Sequence, residues 1–181
     1  MYELFILGEL MTGDKHGYLL QDILKNAVGP FRQISSGTLY PLLSRLVENG
    51  LIRQLADEGK EGARPRKLYQ LTETGRQRFH ELMAQPLEHN AEAELLFHFK
   101  MVYFLYVPKD VRLACLEQYL KYLQINLHYI TGFESKILLY KPEPEKERVQ
   151  LLRVIDHRKH VGAAGIRWVE EEIERIKSSG E

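Results

Sequence analysis

The sequence predicts a mainly α protein with a small β-hairpin wing: a winged helix-turn-helix followed by an all-helical, coiled-coil-like domain. Three observations predict it. Apolar residues recur at helical spacing along most of the chain. Residues 51–71 alone switch to two short β-prone runs around a polar tip. The C-terminal half carries two long repeats of alternating three- and four-residue steps, separated by Lys141-Pro142-Glu143-Pro144.

Residues 2–11 read as a short, strongly apolar helix ended by Thr12-Gly13-Asp14. A second helix restarts at Gly17 and closes near Val28-Gly29-Pro30. The third begins at Ser35 or Ser36, where a hydroxyl accepts a bond from the first-turn amides, and runs to Glu48 before Asn49-Gly50. The runs 51–55 and 67–71 then form a hairpin whose long tip holds Gly59, Gly62 and Pro65. Thr72 caps a helix from Glu73 to about Met83, which Gln85-Pro86 breaks. The domains are therefore placed at 1–84 and 85–181.

Beyond the break, residues 92–106 read as a helix, and Pro108 suits the first turn of the next. There Leu113, Leu116, Leu120, Leu123, Leu127, Ile130, Glu134 and Ile137 form a seam with Glu134 its polar member. The last helix repeats the rhythm at Leu152, Ile155, Lys159, Gly162, Ile166, Val169, Ile173 and Ile176. Stripes this long need a partner. A dimer interface is expected along them, built from Leu113, Leu116, Leu120, Leu123, Leu127, Ile130, Ile166, Val169, Ile173 and Ile176; pairing within the chain is the alternative.

Composition is that of an ordinary globular protein, 44% hydrophobic and 28% charged, with no apolar run of membrane-spanning length. The N-terminus lacks a basic region and a small-residue cleavage site, so a cytoplasmic protein is expected. The single Cys115 forms no internal disulfide. Formal net charge is zero but unevenly spread. Residues 32–78 hold 9 basic and 5 acidic residues, against 2 and 4 before them and 14 and 16 after them. The positive excess thus falls on the third helix, the hairpin and the helix after it, where phosphates would release counterions.

On the third helix Leu39, Leu42, Leu43 and Leu46 share one face and must pack inward. The opposite side carries Gly37, Pro41, Ser44 and Glu48, flanked by Thr38, Tyr40 and Arg45. Small, hydroxylated and aromatic groups at a helix N-terminus suit entry into a major groove. The expected DNA-contacting set is Ser35, Ser36, Thr38, Tyr40, Ser44 and Arg45 on this helix, with Lys60, Arg64, Arg66 and Lys67 on the wing. Ser35 and Ser36 also read simply as caps, and Glu48 requires the far end of the helix to point away from the backbone.

Leu7-Gly8, His16-Gly17-Tyr18, Gly37-Thr38-Leu39-Tyr40-Pro41-Leu42-Leu43, Arg45-Leu46, Asn49-Gly50-Leu51-Ile52, Arg64-Pro65-Arg66-Lys67-Leu68-Tyr69 and Leu71-Thr72-Glu73-Thr74-Gly75 together resemble the PadR-like transcriptional regulators. These motifs span residues 4 to 80 in order. The C-terminal half resembles the helical domain of larger members, ending in a helix that here bears Trp168. The resemblance implies a homodimer that represses promoters by binding double-stranded operator DNA, with a small-molecule inducer that is often aromatic. Tyr122, Tyr129 and Trp168 lie outside the seams and are the candidate effector contacts.

Two other functions compete with this one. An enzyme would need a nucleophile elbow, a phosphate loop or a zinc motif, and none is found. His157 and His160 stand three apart, yet Arg158 and Lys159 lie between them and a third ligand is lacking, so a metal-dependent enzyme is the remote reading and no cofactor is expected. A winged helix used only for protein contacts is the other rival, and the basic wing argues against it.

Overall fold

The computed structural model describes residues 1–32, 34–56, 67–141 and 144–180, together with the backbone but not the side chains of Ser36 and Ala56. The element order is α1 (Tyr2–Met11), β1 (Lys15–His16), α2 (Gly17–Val28), α3 (Ser36–Glu48), β2 (Ile52–Ala56), β3 (Lys67–Leu71), α4 (Glu73–Ala84), α5 (Ala93–Val102), a 3-10 turn (Phe104–Tyr106), α6 (Lys109–Tyr140) and α7 (Glu145–Ser178). The expected helices and both wing strands are present. β1 is an addition: Lys15 and His16 pair antiparallel with Tyr69 and Leu68, so β3 is the centre of a three-stranded sheet ordered β1-β3-β2.

The chain divides into two units, residues 1–85 with 95–108, and residues 86–94 with 109–181. The first is the winged helix. Its α1 is buried on every side from Leu4 to Leu10, which is why that helix reads as apolar all round rather than amphipathic. Segment 95–108 packs into the same core, although the sequence suggests it for the second domain. Phe99 sits 5.0 Å, centroid to centroid, from Phe5, and Tyr103 stands edge-on to Phe79 at 6.0 Å. A Cβ built on Gly8 would lie 2.4 Å from the Tyr103 ring, so only glycine lets α1 come this close.

Two polar contacts fasten this segment. The Tyr103 hydroxyl lies 3.0 Å from Glu9 Oε1 and 3.1 Å from the Phe5 carbonyl oxygen. Burial, then the Glu9 carboxylate, pushes its pKa far up. The buried Lys100 ammonium donates to the carbonyls of Met83, at 3.0 Å, and Gln85. It thus caps the C-terminus of α4, where the helix dipole favours a cation.

At the other end of α4, Thr72 is the N-cap. Its hydroxyl oxygen accepts from the Gly75 amide at 3.0 Å and lies 2.8 Å from the Leu51 carbonyl. A Cβ on Gly75 would fall 1.9 Å from that same carbonyl oxygen. The Leu71-Thr72-Glu73-Thr74-Gly75 motif is therefore the joint between the wing and α4.

The second unit is an antiparallel hairpin of α6 and α7 with residues 86–94 alongside. The Leu87 amide donates to Gln118 Oε1 at 2.9 Å. Within the chain the two seams pack on each other. Leu116, Ile130, Ile137, Ile155, Val169, Ile173 and Ile176 are buried in one protomer, and Leu113, Leu120, Leu123, Leu127, Leu152 and Ile166 are half-buried. The physical reason is connectivity: a short joint returns α7 antiparallel, so each seam meets the other at high effective concentration. Gly162 and Gly165 bring the helices close, facing Leu127 and Leu123; a Cβ on Gly165 would stand 3.3 Å from Leu123 Cδ1. Lys109 Nζ donates to the carbonyls of Lys177 and Ser179 at 3.1 and 2.6 Å, closing the hairpin's open end.

Among the described residues, no helix is long and apolar enough to cross a membrane.

Candidate nucleic-acid interface

The interface is built around α3. Leu39, Leu43 and Leu46 are fully buried and Leu42 nearly so, which fixes the helix's rotation. Gly37, Thr38, Pro41, Ser44, Arg45 and Glu48 are consequently exposed together, as the sequence wheel requires, and Tyr40 is exposed at its flank. Pro41 has no amide to donate to the Gly37 carbonyl, four residues back on this solvent-facing side.

The start of α3 differs from expectation in one respect. Ser35 is the N-cap by position, but its side chain makes no capping bond. Its hydroxyl instead faces that of Thr38, oxygen to oxygen 3.2 Å. The two hydroxyls hold one another at the helix tip, leaving the first-turn amides without a side-chain acceptor from Ser35. Such an end favours an oxyanion. The Ser36 side chain lies outside the described residues.

Behind α3, the motif residues converge. A Cβ on Gly17 would be 3.2 Å from both Tyr40 Cε1 and Tyr69 Cε2, so the first residue of α2 makes room for two tyrosines from α3 and β3. Tyr69 is buried, and that burial, then the neighbouring Tyr40, raises its pKa. His16 stacks on Tyr18 at 5.5 Å and 14°. This packing joins the start of α2 to α3 and β3.

On the wing, Lys67 opens β3 and is exposed; Lys60, Arg64 and Arg66 lie outside the described residues. Arg53 on β2, which the sequence reading passed over, is exposed opposite Gln70 and hydrogen-bonds to it, while Gln70 Nε2 donates to Asp14 Oδ2 at 2.9 Å. Its strand position, facing its partner Gln70, was the signal available. A second feature also escaped that reading. Lys25, Asn26, Gly29, Pro30, Arg32, Ile34 and Ser35, between and within α2 and the start of α3, line an open concavity of about 580 Å³.

In the hairpin unit, Tyr122 stacks on Tyr119 at 5.8 Å and lies 6.0 Å from His89, whereas Tyr129 and Trp168 are exposed. Cys115 is buried. His157 and His160 are exposed, and His160 Nδ1 lies 2.8 Å from the Asp156 carbonyl oxygen.

The model of the transcriptional regulator PadR-like family matches residues 6–81, which hold the interface just described. A PadR-like transcription factor from Bacteroides fragilis is 34% identical over 46% of this chain and 78% of its own, with a TM-score of 0.41. The chain belongs to the PadR-like family. Members of this family are transcriptional regulators rather than enzymes. The chain is also similar to Bacillus subtilis PadR in complex with operator DNA, with 20% identity, 97% of this chain and 98% of that chain covered, and a TM-score of 0.45. To the same protein in complex with p-coumaric acid it is 21% identical over 97% and 98% of the two chains, with a TM-score of 0.40. No curated protein sequence matches it.

Proposed function

We propose that this PadR-like regulator is a homodimeric repressor that binds double-stranded operator DNA and is released by a small-molecule effector. The observation that carries the reading is the exposed face of α3. Thr38, Tyr40, Ser44 and Arg45 line a helix whose opposite face is locked in the core, with paired hydroxyls at its tip. These groups offer donors and acceptors to base edges, while Ser35, Ser36 and Lys67, with Lys60, Arg64 and Arg66 beyond the described residues, hold the backbone. Such a protein works where the chromosome is, in the cytoplasm.

Two copies are needed because half-sites about one DNA turn apart require two linked recognition helices. With the seams turned toward each other, a second stripe becomes the dimer surface. Leu151, Val154, Val161 and Trp168 recur on one side of α7 and are exposed, as is Tyr129 of α6. The half-buried seam members, Leu120, Leu123, Leu127 and Ile166 among them, extend this surface. An aromatic effector, phenolic or planar, fits beside Tyr122, Tyr129 and Trp168. A differential affinity of about 1–3 kcal/mol between DNA-competent and incompetent states would release the operator.

The test is a gel shift with the DNA upstream of the protein's own coding region, repeated across salt. Saturable, sequence-dependent and salt-sensitive binding is expected. Binding to no DNA at any salt would favour a module for protein contacts and overturn the reading.

A further inference from the structure

We propose that Lys15 is a positioning residue for DNA binding: it pins the short strand β1 to the end of α1, and through β1 it holds the wing and Tyr40 in place for DNA. Lys15 does not act by direct contact, because its side chain is only 14% exposed. β1 is Lys15 and His16 alone, below the usual strand length of about 3–10 residues. Its pairing with Tyr69 and Leu68 therefore contributes little by itself. Side chains hold it instead.

The Lys15 ammonium donates to the Glu9 carbonyl oxygen at 2.7 Å and to the Thr12 hydroxyl, and stands 3.8 Å from Glu9 Oε2. That carbonyl lies in the last turn of α1, where the helix dipole favours a cation. The buried Glu9 carboxylate is fixed in turn, since its Oε1 lies 3.0 Å from the Tyr103 hydroxyl. Between α1 and β1 the chain turns at Gly13, with a φ of +129°. The next residue, Asp14, accepts at Oδ2 from Gln70 Nε2 of β3 at 2.9 Å. The segment 12–16 is thus tied to α1 on one side and to β3 on the other.

These ties reach DNA because β1 adjoins both parts of the interface. Lys15 pairs with Tyr69, two residues along β3 from Lys67 of the wing. Gly17, two residues after Lys15, is packed against Tyr69 and against Tyr40 of α3, each ring 3.2 Å from where its Cβ would be. Removing the ammonium leaves Glu9 a buried charge without its cation and frees β1 to part from β3. The effect on DNA rests on the reading of α3 and the wing as the interface; the pinning of β1 does not.

The experiment uses the full chain. Lys15→Met keeps the apolar stem, and Lys15→Arg keeps the charge. Arg78→Met serves as a control: it removes the 2.8 Å pair between α4 and Glu3 of α1 and leaves β1 alone. Amide exchange by NMR, thermal melts and gel shifts across salt are the readouts. Lys15→Met should speed exchange at 15–16 and 67–71 while α4 keeps its protection. It should weaken DNA binding by about two- to thirtyfold. The salt slope should flatten by about 0.9 for each wing phosphate lost. Lys15→Arg should keep wild-type exchange and slope. Arg78→Met should lower the melting temperature without changing the slope. Unchanged exchange or an unchanged slope in Lys15→Met would overturn the proposal. So would an equal loss of DNA binding in Arg78→Met, which would make Lys15 a stabilising residue only. Were Lys15→Met to misfold, Glu9→Gln, which keeps an acceptor for Tyr103, should flatten the slope in the same direction, and an unchanged slope there would overturn the proposal too. Should wild type fail to bind DNA, the operator reading falls, while amide exchange still decides whether Lys15 holds β1.

Discussion

Glu134 and Lys159 meet 2.7 Å apart across the α6–α7 hairpin, the acidic member of one seam against the basic member of the other. Both are partly shielded, with side chains 22% and 34% exposed. In sequence each looked like a flaw in an apolar stripe. Together they mark the register: sliding α7 by one heptad would leave two half-buried charges facing apolar side chains.

The first prediction concerns that pair. Lys159→Met should destabilise the protein, and a double-mutant cycle with Glu134→Met should give a coupling on the order of 1 kcal/mol, between exposed and buried ion pairs. The double variant should be nearly as stable as wild type. Urea denaturation decides it. Additive losses would mean the two charges do not recognise each other.

The joint at Gly75 yields a second. Gly75→Ala drives a methyl into the Leu51 carbonyl and should cost about 3 kcal/mol or more. Thr72→Ala loses a cap and should cost about 1 kcal/mol. Gly8→Ala, against the Tyr103 ring, should also destabilise, by about 1–3 kcal/mol. Thermal melts that rank Thr72→Ala as the most damaging would contradict this geometry.

Alkaline pH offers a third. Burial, then Glu94 and Tyr122, pushes the Tyr119 hydroxyl up to about 12. Unfolded tyrosine titrates near 10. Below about pH 10 both states hold the proton and the stabilisation is complete. Between about 10 and 12 the unfolded chain releases it while the folded one does not, so stability falls by about 1.4 kcal/mol per pH unit. Tyr119→Phe should flatten that fall in urea midpoints. Parallel pH profiles for the two proteins would refute it.

DNA contacts separate by role in the fourth. Replacing Thr38, Tyr40 or Ser44 should change sequence preference, by about 1–3 kcal/mol per lost base contact. Replacing Arg64 and Arg66 by Ala should weaken specific and random DNA alike and flatten the salt slope by about 0.9 per phosphate lost. An unchanged slope would remove the wing from the interface.

A fifth addresses assembly. Val161→Glu charges the exposed stripe and should give folded monomers with weakened operator binding. Val169→Glu instead charges the hairpin's interior and should unfold that unit. Light scattering and circular dichroism distinguish the two. Tight operator binding by folded Val161→Glu monomers would place the dimer surface elsewhere.

Much of this was legible in the residues. The α3 face could be read because four leucines leave one way to turn the helix. The seams could be read because their rhythm is long, and within the chain α7 packs against α6. β1 was invisible because Lys15 and His16 have no periodicity and become a strand through Tyr69 and Leu68. The Ser35 hydroxyl was expected on an amide because capping is the common use, and its preference for Thr38 is a matter of local rotamers. Lys25 and Arg32 stand apart in sequence, and only the fold brings both to one concavity.

Segment 95–108 gives the chain an unusual kind of indivisibility. The polypeptide leaves the winged unit at 85, contributes 86–94 to the hairpin unit, returns for 95–108, and leaves again. No single cut can release either half intact. A fragment ending at residue 84 would lose Phe97, Phe99 and Tyr103 from its core and the Lys100 cap from α4. It should therefore be soluble only as a loosened state, if at all. Grafting this DNA reader onto a foreign regulator by exchange at one crossover point is closed off for the same reason.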